Sequence, residues 1–153
     1  SPFLNHTILD MLTLYIGNKN YSSWSMRPWV LMRQAGIEFA EHKERFDSFE
    51  AQSQFKHALL ALNPHGKVPV LIDQGLVVWD SLAIAEYLAE KFPHLHLWPS
   101  QTPLRARARS LCADIHSGYT ALRQEHVKID VILHRFSKRT QILVECFGIV
   151  VFR

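Results

Sequence analysis

The 153-residue chain predicts an α/β domain, with elements in the order βαβ and then αββα, followed by a helical segment. Three observations carry this. Short apolar runs at 12–16, 68–72 and 76–79 have strand length and end at turn residues. Helical stretches run from about Met26 to Ala35 and from Ser81 to Phe92. A proline-bearing stretch then precedes a third helical pattern, Leu104 to Leu122.

Each element has a local reason. Leu12-Thr13-Leu14-Tyr15-Ile16 ends at Gly17 and reads as a buried strand. Asn18 to Ser25 is polar and reads as a turn. The first helix follows from Met26, with Pro28 in its first turn, where a missing N–H costs nothing, and Gly36 as its stop. Glu38 to Lys43 alternates and reads as a strand nearer an edge, and Glu50 to Leu62 as a weakly patterned helix. Val68 to Ile72 is the third strand, Asp73-Gln74-Gly75 a three-residue hairpin loop, and Leu76 to Trp79 the fourth strand. Ser81 to Phe92 is a helix stopped by Pro93. This order is the thioredoxin-like arrangement.

The expected domains are residues 11–92, an interdomain linker at 93–103 with Pro93, Pro99 and Pro103, and a partial helical domain at 104–153. Met11 directly precedes the first strand, so Ser1 to Asp10 are expected to be extra residues before a natural start. Leu104, Ala108, Leu111, Cys112, Ile115, Tyr119 and Leu122 fall at helical spacing. Residues 125–153 are atypical, with β-branched residues throughout and an apolar end from Cys146 to Phe152.

Composition narrows the function classes. Hydrophobic content of 48% and charged content of 20% are those of a globular protein in water. No apolar run reaches the roughly 18–20 residues of a membrane helix, and the first ten residues lack a secretory pattern. Cys112 and Cys146 form no metal or redox spacing, so a reducing cytoplasm fits and Cys112 reads as a packed thiol. Net charge is +3, split between an acidic residues 1–92 and a basic 93–153. The basic residues are scattered without aromatic interleaving, which argues against nucleic acid. The nine histidines include no helical metal pair, and no metal is expected.

Chemistry concentrates between Leu62 and Leu88. Val68-Pro69 places a proline inside a predicted strand, where it removes a ladder donor. A cis bond there would turn the Val68 N–H and C=O outward, to pair with a peptide ligand as an added strand does. Asp80-Ser81 opens the strongest helix, and one of the pair caps it. The free amides and positive dipole end attract a carboxylate. Ser81 would donate to that carboxylate and Asp80 would take an ammonium group, so the pair suits the zwitterionic end of a small peptide.

The third region is Tyr21-Ser22-Ser23-Trp24-Ser25-Met26-Arg27, between the first strand and the first helix. A thiol bound there meets a helix N-terminus and serine hydroxyls. A free thiol titrates near ~8.5, and roughly 2.7 kcal/mol of preference for thiolate lowers that by about 2 units. A serine here acts by donating a hydrogen bond to the sulfur anion.

Taken together, Ser22-Ser23-x-Ser25, Asn63-Pro64-His65-Gly66-Lys67-Val68-Pro69 and Asp80-Ser81 resemble the glutathione S-transferase family, in particular its zeta-class and bacterial serine-type members. The likeness covers Met11 to about Gln124. In these members an Arg follows the reactive serine by five positions; Arg27 points back to Ser22, with Ser23 in support. The third position, usually cysteine in zeta-class members, is Trp24 here. The resemblance implies a glutathione transferase that binds glutathione as co-substrate and activates its thiol for attack on a small electrophile, by conjugation or isomerisation. It implies Val68 and Pro69 at the cysteinyl backbone, Asp80 and Ser81 at the γ-glutamyl end, and Lys67 at the glycine carboxylate. It also implies a cytoplasmic homodimer with an all-helical second domain, here incomplete and ending in a truncated, frame-shifted or replaced tail, with genuine divergence as the alternative. The alternatives are a non-catalytic glutathione-binding or assembly module, or a fragment with little activity.

Overall fold

The computed structural model describes residues 11–18, 22–44, 57 and 59–117, with Ser23 described by its backbone only. β1 (Thr13–Ile16) runs parallel to β2 (Ala40–Lys43) and antiparallel to β3 (Val70–Asp73), which in turn pairs antiparallel with β4 (Leu76–Trp79). The sheet order is β2-β1-β3-β4. This mixed sheet, with a helical crossover between its two parallel strands, is the thioredoxin-like domain that the element order predicts.

α1 (Ser23–Ala35) makes the crossover and packs on β1. Its buried face carries Leu31 and Met32, against a core that includes Leu14, Ile16, Val70 and Leu71. It ends at Gly36, whose φ of 71° and whose amide bond to the Arg33 carbonyl, with Ile37 N–H donating to the Met32 carbonyl, form a Schellman stop.

The helix starts three residues earlier than expected. Ser22 is the N-cap, so Ser23, Trp24 and Ser25 are helical rather than part of a turn. Pro28 therefore lies inside α1, beyond its first turn, and supplies no N–H to the Trp24 carbonyl one turn back.

Two further boundaries differ. The hairpin loop is the two residues Gln74 and Gly75, with φ of 48° and 89°, because paired positive φ values match the strand twist. Asp73 is consequently a buried strand residue opposite Leu76. Val68 and Pro69, joined by a cis bond, precede β3 rather than lying within it. Of the helix expected at 50–62, His57 and 59–62 are described: His57, Leu59 and Leu60 are helical, while Ala61 and Leu62 form a turn.

α2 (Ser81–Lys91) follows β4, and the boundary between two compact units falls inside it, between Ile84 and Ala85. Beyond it, Pro93–Leu95 form a 3₁₀ turn and α3 spans Thr102–His116. The proline-bearing stretch is anchored, with Leu95, Leu97 and Trp98 all buried. Within this second unit, Glu86 accepts from Trp98 Nε1 at 3.0 Å and from Arg109 at 2.9 and 3.0 Å. That hydrogen bond raises the Arg109 guanidinium pKa above its ordinary value. Cys112 is a buried free thiol. The atypical 125–153 stretch and Cys146 lie outside the described residues. Among the described residues no helix is long and apolar enough to cross a membrane, and no group of three or more metal-ligating side chains gathers.

Candidate functional site

Strand register brings the predicted site residues to one end of the sheet. Val70 opens β3, while its partners Tyr15 and Trp79 lie near the C-terminal ends of β1 and β4. Three segments thus emerge together: Gly17 after β1, Val68-Pro69 before β3, and Asp80-Ser81 after β4.

Gly17 shows how close two of them are. A Cβ at this position would meet Ser22 Cβ at 3.2 Å, Val68 Cγ2 at 3.4 Å and Ser22 Oγ at 3.5 Å. Glycine favours this close approach, since a side chain here would make Ser22 or Val68 give way by a few tenths of an ångström.

Ser22 caps α1 through its side chain, accepting from the Ser25 amide at 3.4 Å. Its Oγ also lies 2.8 Å from Ser25 Oγ, and the Gly17 amide donates to Ser25 Oγ at 3.1 Å. Ser22 is half-buried and Ser25 is fully buried. The second candidate serine, Ser23, is the first residue of α1. Arg27 is buried, with its guanidinium 4.0 Å from the centroid of the exposed Trp24 ring.

The loop before Val68 is held by Asn63. Its Oδ1 accepts from the amides of His65 and Lys67, at 3.1 and 3.4 Å. Its Nδ2 donates to the carbonyls of Lys67 and Leu59, at 3.0 and 3.4 Å. Asn63 is buried, so these bonds replace water for both ends of its amide. The Lys67 side chain is exposed, Val68 is half-buried and Pro69 is buried. No backbone hydrogen bond to another described residue engages Val68.

At the third segment, Asp80 rather than Ser81 is the cap. Asp80 Oδ1 accepts from the Leu82 and Ala83 amides at 2.8 and 3.1 Å, and its carbonyl accepts from Ile84 at 3.0 Å. Its φ of 78° places a non-glycine residue in the left-handed region, a strain of about 1–3 kcal/mol that the cap helps offset. Ser81 is 1% exposed, and its Oγ has no hydrogen-bond partner among the described residues. A buried, unpaired hydroxyl costs about 1–3 kcal/mol. Here it sits at the positive end of a helix, where an anion would satisfy it.

Sequence reasoning named Ser22, Ser23, Lys67, Val68, Pro69, Asp80 and Ser81 for this site. It overlooked Gly17, Ser25 and Asn63 as positioning residues. Ser25 had a signal, since it lies three residues after a serine that can cap a helix.

The arrangement has known counterparts. The glutathione S-transferase N-terminal domain matches residues 21–91. A stringent starvation protein A homolog from Histophilus somni is 30% identical over 110 residues, 72% of this chain and 48% of its own length. A probable maleylacetoacetate isomerase from Caenorhabditis elegans is 32% identical over 109 residues, 71% of this chain and 48% of its own. The solved structure of rice GST1 in complex with glutathione shares 32% identity at a TM-score of 0.55, over 68% of this chain and 46% of that one. The chain spans about half the length of the curated relatives it matches. Its sheet, its helix starts and these matches make it a member of the glutathione S-transferase family, with residues 21–91 in the family's N-terminal domain.

Proposed function

We propose that the chain binds glutathione across the sheet end formed by Ser22, Val68 and Ser81, and activates its thiol for reaction with a small electrophile. The observation that carries this reading is the unpaired, buried Ser81 Oγ at the start of α2, at the sheet end shared with Ser22. Ser81 Oγ donates to the γ-glutamyl carboxylate, and Asp80, already spending Oδ1 on its cap, offers its charge to the ammonium group. The Val68 backbone pairs with the cysteinyl unit, beside Pro69. Lys67 approaches the glycine carboxylate.

With the tripeptide so held, its sulfur faces the start of α1. Ser22 and Ser23 are the candidate catalytic serines, and the Ser22 hydroxyl donates a hydrogen bond that stabilises the thiolate. The helix end adds a favourable field, worth about 0.3–1 kcal/mol at a half-exposed site. Holding the thiolate next to its electrophile converts a collision into an oriented step. A metal has no role in this scheme. The homodimer and cytoplasmic setting that the resemblance implies complete the proposal, and sedimentation tests the dimer.

A second reading, glutathione binding without turnover, draws on the relatives, whose names include a stringent starvation protein A homolog beside an isomerase. Calorimetric titration with glutathione, run beside a conjugation assay with a nitroaromatic chloride, separates the two. Binding with Ser22-dependent turnover supports the transferase reading. Binding alone supports the module. No binding refutes both.

A further inference from the structure

We propose that Ser25 is a positioning residue for the thiol-activating serine, passing the polarisation of the Gly17 amide to Ser22. The inference rests on the proposed glutathione reading and names the residue that orients its key hydroxyl.

The donor order follows from counting protons. A serine hydroxyl has one proton to give and two lone pairs. Ser25 Oγ accepts from the Gly17 amide, and no water reaches it, because Ser25 is 0% exposed. Its own proton needs an acceptor, and among the described residues the hydroxyl within reach is Ser22 Oγ at 2.8 Å. Ser25 therefore donates to Ser22. Ser22 Oγ then accepts twice from one residue, from the Ser25 hydroxyl and from the Ser25 amide at 3.4 Å. Both lone pairs are spent, and the Ser22 proton is left as the free end of the chain.

That end has a defined job. Run from Gly17 N–H through Ser25 O–H to Ser22 O–H, each bond polarises the next, so the last hydroxyl is a stronger donor than an isolated serine. It is also aimed, because the opposite orientation would leave the buried Ser25 proton without an acceptor among the described residues. A bound thiolate then meets a hydroxyl that does not need to reorganise. Neither Ser25 nor the Gly17 amide touches the sulfur in this scheme.

The test compares the 153-residue chain with its Ser22→Ala, Ser25→Ala, Ser25→Thr and Ser25→Cys variants. The pKa of bound glutathione is read from thiolate ultraviolet absorbance across a pH series. Glutathione affinity is measured calorimetrically at a pH where the thiol stays protonated. Ser25→Ala is expected to raise the bound-thiol pKa by about 0.5–1 unit, with acid-side affinity within twofold of the parent. Ser25→Thr keeps a hydroxyl and should restore the parent value, and Ser25→Cys, a weaker donor, should fall between. Should Ser25→Ala fail to fold, Ser25→Cys against the parent decides.

A raised pKa with Ser22→Ala but a parent-like value with Ser25→Ala and Ser25→Cys overturns the inference and leaves the glutathione reading standing. A parent-like value with Ser22→Ala overturns the inference together with the role given to Ser22. Absence of glutathione binding by the parent chain overturns the functional reading itself.

Discussion

Val70 pairs with Trp79 across the β3–β4 ladder. Because that pair closes one end of an antiparallel hairpin, the residues before Val70 and after Trp79 leave the sheet side by side. The two residues are nine positions apart in sequence, yet their pairing sets a backbone segment that can pair with a peptide next to a helix start that can hold a carboxylate. Gly17 emerges at the same end, since Tyr15 pairs with Val70 on the other side of β3.

Ser81→Ala separates binding from stability. The Ser81 hydroxyl is buried without a partner in the free chain, so its removal relieves a desolvation cost. The prediction is a melting temperature equal to or above the parent's, with glutathione affinity weakened by ~1–2 kcal/mol. Thermal melts and calorimetric titration check it. A destabilised variant with parent affinity would show that the hydroxyl serves the fold.

Gly17→Ala tests the close approach. The added methyl would lie 3.2 Å from Ser22 Cβ and 3.4 Å from Val68 Cγ2. Overpacking of this kind costs about 1–3 kcal/mol. Stability should fall by that amount, and the bound-thiol pKa should rise because Ser22 is displaced. Denaturant unfolding measures the first effect and thiolate absorbance the second. A variant matching the parent in both would remove Gly17 from the account.

Asn63→Ala removes the clamp on the Val68 loop. Its loss strands the Lys67 carbonyl and the amides of His65 and Lys67. A cost of about 2–3 kcal/mol in folding stability is expected, along with weaker glutathione binding as Val68 loses its fixed position. Amide hydrogen exchange at 65–68 should accelerate. Unchanged exchange there would mean that the loop is held by something other than Asn63.

Glu86→Gln probes the second unit. The amide oxygen can still accept from Trp98 Nε1, while the ion pair to Arg109 loses its charge. Because that pair is partly exposed, the loss should be about 0.2–1 kcal/mol and should shrink as salt is added. Melts at low and high ionic strength test this. A loss independent of salt would assign the effect to hydrogen bonding alone.

Much of the fold is legible in local sequence. The run ending at Gly17, the β4 strand Leu76–Trp79 and the helix opening at Ser81 follow from apolar length and punctuation. The start of α1 is harder to read. Ser22, Ser23 and Ser25 are each competent turn or cap residues, and Pro28 invites placement in a first turn although it lies deeper in the helix. Asp73 reads as a loop residue because its type favours turns, but the positive φ of Gln74 and Gly75 closes the hairpin without it. Leu95, Leu97 and Trp98 are buried within a stretch whose prolines mark it as linker.

The site divides in the same way. Ser22, Val68, Pro69, Asp80 and Ser81 belong to local motifs with their own chemistry. Gly17, Ser25 and Asn63 matter through distances: a position where a Cβ would lie 3.2 Å from Ser22 Cβ, a 2.8 Å hydroxyl pair and a loop clamp. Their roles depend on how β1, α1 and the Val68 loop are set side by side, which no window of a few residues contains. Asp80 is intermediate, since a cap was expected at the Asp80-Ser81 pair but its left-handed backbone was not.

The central claim is that one end of the sheet binds glutathione through Ser22, Val68 and Ser81. Titrating glutathione into isotopically labelled chain, and following backbone amide shifts, tests it most directly. The account predicts saturable shifts at Gly17, Val68, Ser81 and Leu82, largest at Ser81 and lost in Ser81→Ala. Saturable shifts confined to other segments, or none at millimolar glutathione, would contradict it.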